Sequence, residues 1–124
     1  MCIRDRWQFV PTTARAYGLT VAPGKDERLH VRKSSHAAAR LLGDLYEEFN
    51  DWQLALAAYN AGVGRVKRAI QSAGTRDFFE LVEQGAISKE TAEFVPRVLA
   101  VAAILRNPAN FGFSPGVVQM AKQR

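Results

Sequence analysis

Apolar residues recur at spacings of three and four along two long stretches of the chain. The first stretch carries Ala38, Leu41, Leu42, Leu45, Tyr46 and Phe49, and the second carries Phe94, Val95, Val98, Leu99, Ala102 and Leu105. This spacing gathers the apolar side chains on one face of an α-helix. We therefore predict two long amphipathic helices, the first capped by Ser34 or Ser35 and the second beginning at Ser88. Pro96 is expected to kink or restart the second helix, and Asn107-Pro108 to end it.

Four shorter helices are predicted from residues that commonly begin or end a helix. They span residues 11–17, 52–59, 65–73 and 78–81. Gly18 and Gly74 can take the left-handed conformation that ends the first and the third of them. Asp51 can cap the second, whereas Thr75 and Asp77 offer the cap and the dipole-favoured acid of the fourth.

The segment between the first short helix and the first long helix has a different character. Residues 20–33 combine Pro23-Gly24 with many charges and show no periodicity, which indicates a loop. No segment shows the alternation of a strand, and no long repeat or low-complexity tract occurs. The whole pattern predicts an all-α fold with short connections.

Size and charge narrow the class of protein. A chain of 124 residues and 13.7 kDa fits a single domain. Its net charge of +5 and pI near 9.8 favour an anionic partner: a nucleic acid, an acidic membrane surface or the carboxylate-bearing mesh of peptidoglycan. The single cysteine, Cys2, excludes an intrachain disulfide and a cysteine-based metal site. No apolar run reaches the length of a membrane span, and no stretch has the pattern of a secretory signal.

The two ends of the chain differ from the part between them. Residues 1–6 match nothing in the pattern that follows, and we interpret them as a non-native scar or a mis-assembled start; the alternative is a short, frayed but genuine terminus. Residues 108–124 contain Pro108, Gly112, Pro115 and Gly116, a composition typical of a tail or linker. The expected domain therefore covers residues 7–107.

Three motifs could carry chemistry. Ala58-Tyr59-Asn60-Ala61-Gly62 offers an aromatic face, a hydroxyl and an amide, which are groups that grip sugar hydroxyls and N-acetyl groups. Trp7-Gln8-Phe9 places an amide between two aromatic rings, and Glu90-Thr91-Ala92-Glu93 puts two acids near a helix start. Taken singly, the plainer interpretations are favoured: a turn-forming asparagine, a surface glutamine and acids that favour the helix dipole.

Together, and in this order, the three motifs resemble those of the lytic transglycosylase family. The likeness is to the membrane-bound murein transglycosylase D type within glycoside hydrolase family 23. It rests on Trp7-Gln8-Phe9-Val10-Pro11-x-Thr13-Ala14, on Ala58-Tyr59-Asn60-Ala61-Gly62 and on Glu90-Thr91-x-x-Phe94-Val95-Pro96. Connecting segments such as Asp26-Glu27-Arg28 and Asp51-Trp52-x-Leu54-Ala55-Leu56 are similar as well. The resemblance runs from about Trp7 to about Phe113.

The resemblance implies a lysozyme-like fold with a groove for a glycan strand, and no cofactor or metal. Such enzymes cleave the bond between N-acetylmuramic acid and N-acetylglucosamine without water and leave a 1,6-anhydromuramoyl end. One glutamate with a raised pKa acts first as general acid and then as general base. By the same resemblance, Gln8, Tyr59, Asn60 and Phe94 are expected to bind substrate. Phe94 stands where the family usually has tyrosine, so one hydroxyl contact is in doubt, and Glu90 matches a family acid with a supporting role.

One departure concerns catalysis. In the family the catalytic glutamate, followed by serine, lies well upstream of the glutamine motif, whereas none of the seven residues before Gln8 is a glutamate. We therefore expect a lytic transglycosylase domain that is incomplete at the N-terminus and inactive by itself. Its parent is expected in the bacterial cell envelope, periplasmic or associated with the outer membrane, with peptidoglycan glycan strands as the partner.

Two other functions remain open. One is a non-catalytic peptidoglycan-binding module that keeps the groove without the acid. The other is a basic helical DNA-binding protein, suggested by Arg65, Lys67, Arg68 and Arg76 near short helices. Basic helix faces are usually just solvated, so we expect no nucleic-acid partner.

Overall fold

Six α-helices make up most of residues 6–114, the part of the chain that this computed structural model describes. In chain order they are α1 (Pro11–Ala16), α2 (Val31–Phe49), α3 (Trp52–Ala61), α4 (Val63–Ala73), α5 (Phe78–Glu83) and α6 (Lys89–Arg106). Two short antiparallel strands, β1 (Val21–Ala22) and β2 (Lys25–Asp26), and two 3-10 helices, Glu27–Leu29 and Pro108–Phe111, complete the described elements. The predicted all-α fold class is confirmed.

The helix starts predicted at Asp51 and Ser88 are confirmed by side-chain caps, and α5 is capped by Asp77 where Thr75 was the expected cap. In each case a side-chain oxygen accepts a hydrogen bond from a backbone N–H of the first turn, which would otherwise lack a partner. The bonds run from the amide of Leu54 to Asp51 (2.9 Å), from those of Phe79 and Glu80 to Asp77 (2.9 and 3.0 Å), and from that of Thr91 to Ser88 (3.3 Å). The ends at Gly18 and Gly74 are confirmed as well, since these glycines have φ angles of +83° and +70°.

The predicted cap of the first long helix is wrong. Helix α2 begins at Val31 and its N-cap is His30, whose Nδ1 accepts a hydrogen bond from the Lys33 amide at 3.3 Å. Ser34 is instead a buried residue within the helix, and its hydroxyl donates to the carbonyl of His30 at 2.9 Å. The apolar stripe begins only at Ala38, and residues 31–33 ahead of it are exposed, so periodicity missed the first turn.

The predicted loop over residues 20–33 is also more ordered than expected. Strands β1 and β2 pair Val21 with Asp26 and Ala22 with Lys25, and the turn between them uses Gly24 at a φ angle of +76°. Strands of two residues are too short to show alternation, which explains why the pattern did not reveal them.

Helices α4 and α6 differ in detail from their predicted extents. Helix α4 begins at Val63 rather than residue 65, because Gly62 takes the N-cap position with a φ angle of +92° and Gly64 is accommodated within the helix. Helix α6 continues through Pro96 as one element of 18 residues, so the proline does not restart it. One missing backbone donor removes a single hydrogen bond, which leaves the helix continuous on both sides.

The chain divides into two compact units, one up to Tyr59 and one from Asn60 onward. A core cluster of the first unit contains Phe9, Ala14, Leu19, Ala37 and Ala38, with Trp7, Tyr17, Val21 and Leu41 packed against it. Helix α3 is buried over five consecutive residues, from Leu54 to Ala58. In the second unit the most deeply buried large side chains are those of Val66, Phe78, Leu81 and Val95.

Parts of the sequence interpretation fall outside the described residues. These are residues 1–5 of the first six and residues 115–124 of the expected tail. The domain limits at residues 7 and 107 therefore stay predictions. Within residues 6–114, no helix combines the length and apolar character that crossing a membrane would require.

Candidate functional site

The segment Trp7–Phe9 is held from both sides within the first unit. The Tyr59 hydroxyl donates to the carbonyl of Trp7 at 2.6 Å, and the Trp7 indole Nε1 donates to Ser35 Oγ at 3.0 Å. Phe9 is buried in the core cluster, only 2% exposed. The two aromatic neighbours of Gln8 are therefore fixed, one by hydrogen bonds and one by packing.

A buried arginine completes this support. Arg28 is 3% exposed, and its Nη1 donates to the carbonyl of Phe9 at 3.0 Å. The same guanidinium binds both carboxylate oxygens of Asp26, from Nε at 2.8 Å and from Nη2 at 2.6 Å. This fork geometry is the one in which arginine pairs most strongly with a carboxylate. The ion pair thus fixes the backbone on the C-terminal side of Gln8.

Gln8 itself is strained and exposed. Its φ angle is +55°, in the left-handed region that residues other than glycine rarely adopt. Among residues 6–114 its side-chain amide makes no hydrogen bond, so two donors and an acceptor face solvent. Backbone strain of about 1–2 kcal/mol persists only where the surroundings impose it, and it concentrates at binding and catalytic sites.

A hydrogen-bonded network in the second unit orients Asn60. Its Oδ1 accepts from Thr91 Oγ1 at 2.7 Å, and its Nδ2 donates to Glu90 Oε1 at 3.3 Å. Because the Thr91 proton goes to Asn60, the contact of 3.0 Å between Ser88 Oγ and Thr91 Oγ1 has Ser88 as its donor. The network leaves Asn60 one free N–H and one lone pair in a fixed orientation.

Glu90 and Phe94 lie on successive turns of α6. The Glu90 carboxylate is exposed and accepts the hydrogen bond from Asn60. Phe94 is half-buried and lines a mostly apolar surface with Arg97, Val98 and residues further along α6. The expected substrate residues thus fall into two groups, with Gln8 and Tyr59 in the first unit and Asn60 and Phe94 in the second.

The carboxyl group of Glu27, next to Arg28 in the sequence, has a strongly lowered pKa. The Lys33 ammonium, 2.5 Å from Glu27, and then the Thr20 amide hold the pKa of Glu27 at about 2, below its ordinary value of 4.5. Glu27 therefore stays ionised over any ordinary pH and serves as a fixed anion, unsuited to proton transfer near neutrality. Within residues 6–114 no group of three acidic, histidine or cysteine side chains is arranged to hold a metal ion.

Sequence analysis missed the residues that support the expected ones. Arg28 occurs in a quoted connecting segment and Thr91 in a quoted motif, but neither was singled out. Their partners are distant in sequence, 19 residues for Arg28 with Phe9 and 31 for Thr91 with Asn60, so no local spacing could have identified them.

Comparison with known proteins finds a matching family model and several relatives. The family model described as Transglycosylase SLT domain matches residues 7–82, more than half of the chain. The chain is 39% identical over 111 residues to a protein of Escherichia coli strain K12 named membrane-bound lytic murein transglycosylase D, covering 86% of this chain and 24% of that protein. It is 37% identical over 81 residues to peptidoglycan transglycosylase gp16 of Escherichia phage T7, covering 63% of this chain and 6% of the phage protein. The chain thus spans about a quarter of the first relative and a small part of the second.

Proposed function

The chain belongs to the Transglycosylase SLT domain family, and from that premise we propose that it is the glycan-binding part of a peptidoglycan lytic transglycosylase. The reaction proposed for the intact protein cleaves between N-acetylmuramic acid and N-acetylglucosamine and forms a 1,6-anhydromuramoyl end. The proposed place of action is the bacterial cell envelope. Two of the relatives support the proposed activity, since they are named as transglycosylases of murein and of peptidoglycan.

The observation that carries the proposal is Gln8, whose backbone is strained and whose exposed side-chain amide makes no hydrogen bond among residues 6–114. A φ angle of +55° costs free energy, yet the backbone around it is secured by Tyr59 and by the buried Arg28. Strain that the surrounding structure maintains in this way is concentrated at binding and catalytic sites. A neutral amide with free donors and an acceptor suits the hydroxyls and N-acetyl groups of a glycan strand.

Asn60 adds a second polar contact of the same kind. Its amide is oriented by Thr91 and Glu90, so its remaining donor and acceptor are presented without further ordering cost. The Tyr59 hydroxyl is committed to the Trp7 carbonyl, so we assign Tyr59 a role in positioning the Gln8 segment. Phe94 is proposed to offer its ring to the sugar's apolar face.

These residues are proposed to bind glycan without cleaving it. No glutamate among residues 1–124 precedes Gln8, and the glutamates that follow are exposed or, in the case of Glu27, held ionised. General acid catalysis near neutral pH needs a carboxyl group with a raised pKa. Incubation of purified sacculi with the 124-residue chain should therefore release no anhydromuramoyl products, and their appearance would refute this part of the proposal.

Calorimetric titration with a peptide-free glycan tetrasaccharide tests the binding itself. Substituting Gln8→Ala should weaken binding about two- to tenfold, the worth of one or two neutral hydrogen bonds. Gln71→Ala is the matched control, because Gln71 is also an exposed glutamine, lies on α4 and should leave the affinity unchanged when replaced. Equal affinity of the wild type and Gln8→Ala, or no binding at all, would overturn the proposed site.

A further inference from the structure

A pocket of about 390 Å³ lies within the second unit, where α4 and the start of α6 contribute side chains. On the α4 side it is lined by Arg65, Arg68 and Ser72, which follow one another at spacings of three and four and so share one helix face. Ser88 and Thr91 line it from the start of α6. None of these residues was assigned to the expected substrate site.

The charge of this pocket is of one sign. Arg65 and Arg68 are exposed, and among residues 6–114 neither makes an ion pair or a hydrogen bond. No acidic side chain is among the described residues that line the pocket. Two unpaired guanidinium groups on adjacent turns present a fork of donors suited to a carboxylate or phosphate.

The floor of the pocket is apolar and well packed. Val66, Ala69 and Ile87 line it and are 0%, 4% and 9% exposed. A ligand that fits both parts carries an anionic group for the arginines and small apolar groups, such as methyl side chains, for the floor. This combination matches a short peptide with a carboxylate better than the bare phosphate backbone of a nucleic acid.

A chain of hydroxyl groups joins the pocket to Asn60. Ser88 donates to Thr91, and Thr91 donates to Asn60 Oδ1 at 2.7 Å. A ligand group that displaces or accepts from Ser88 would therefore affect the orientation of the Asn60 amide. The pocket and the proposed glycan contact are neighbouring parts of one polar network.

We propose that this pocket binds a carboxylate of the peptide stem attached to the glycan strand, with Arg65 and Arg68 as the anionic contacts. The inference rests on the proposed function, because it takes peptidoglycan as the ligand. It adds that the protein recognises the peptide as well as the sugar, and that Arg65 and Arg68 determine a preference for strands that still carry their stems.

Calorimetric titration with three probes tests this: a tetrasaccharide without stems, the same glycan with stem peptides, and the stem-bearing glycan with its carboxylates converted to carboxamides. The wild-type chain should bind the carboxylate form about three- to tenfold more tightly than the other two, as expected for exposed charge pairs. In the double variant Arg65→Gln/Arg68→Gln this difference should disappear, while affinity for the stem-free glycan is kept.

The control variant is Arg32→Gln/Arg106→Gln, which removes the same net charge at two exposed arginines outside the pocket. It should keep the preference; losing it equally would show that only overall charge matters and would overturn the inference. A preference that persists without Arg65 and Arg68 would also overturn it. If the stem-free glycan binds but stems add nothing, the inference fails and the proposed function stands, whereas no binding to any probe refutes both.

A DNA duplex of about twenty base pairs serves as a fourth probe. The arginines would be assigned to phosphate recognition instead if the chain bound this duplex more tightly than the stem-bearing glycan. That binding should then depend steeply on salt and be lost in Arg65→Gln/Arg68→Gln. Duplex binding that is weak and equally reduced in the control variant supports the peptide assignment, since it reflects net charge alone.

Discussion

Replacing Arg28 by methionine should destabilise the protein far more than removing any exposed charge. Arg28 is 3% exposed, and its partner Asp26 has a side chain that is 17% exposed. Methionine keeps an apolar side chain of similar length. It removes the two guanidinium hydrogen bonds to the Asp26 carboxylate and the hydrogen bond from Nη1 to the Phe9 carbonyl. Breaking a buried ion pair by removing one partner costs about 3–5 kcal/mol, because the remaining charge stays desolvated.

The exposed pair between Arg97 and Glu93 provides the matched comparison. Their side chains are 76% and 46% exposed and the contact is 3.3 Å, so Arg97→Gln should lower the free energy of unfolding by about 0.5 kcal/mol or less. Urea unfolding followed by circular dichroism gives both values. A domain of this size is stable by about 5–15 kcal/mol, so Arg28→Met should still leave a measurable transition at the stable end of that range.

Two further variants keep the test decisive if Arg28→Met does not fold. Arg28→Lys retains the charge but not the fork, and it should fall between wild type and Arg28→Met. The double variant Asp26→Asn/Arg28→Met also removes the carboxylate charge and should recover part of the lost stability. The argument is refuted if Arg28→Met and Arg97→Gln lose equal stability, or if neutralising Asp26 recovers nothing.

Three other changes test separate parts of the structure. Gln8→Gly should raise the free energy of unfolding by about 0.5–1 kcal/mol, since relief of strain at φ +55° exceeds the backbone entropy cost of glycine, while glycan affinity falls; thermal melting and titration measure the two effects. Asp77→Ala should cost about 1 kcal/mol in urea unfolding, because two amides of α5 lose their cap. Carboxyl NMR should give Glu27 a pKa of about 2, and Lys33→Met should raise it toward 4.5. Because the folded pKa is lowered, the stability that Glu27 contributes is present above pH 4.5 and lost as the pH falls toward 2.

Local chemistry determined which helix boundaries the sequence could predict. Asp51, Asp77 and Ser88 each accept a hydrogen bond from a backbone amide three residues later, so the adjacent sequence is enough to predict a helix start there. His30 does the same for α2, but histidine is not a preferred cap and two serines stood nearby as better candidates. The hairpin of residues 21–26 escaped detection for the different reason that its strands are too short for a period to appear.

The candidate site could be predicted only as a set of residues. The resemblance identified Gln8, Tyr59, Asn60 and Phe94, but residue types do not reveal conformation. The left-handed backbone of Gln8 is imposed through its two neighbours. Tyr59 bonds the Trp7 carbonyl from 52 residues away, and Arg28 bonds the Phe9 carbonyl from 19 residues away. Such long-range constraints are the part of a site that spacing and propensity cannot supply.

The burial of α3 has a consequence for how the protein would bind its ligand. Five successive residues, Leu54 to Ala58, are at most 7% exposed, so every face of the helix is packed at this level. Backbone amides there should exchange with deuterium only through large-scale opening. Tyr59 and Asn60 continue directly from this run. The polar end of α3 is therefore carried by a helix that is already rigid before a sugar arrives, and little configurational entropy remains to be lost there on binding.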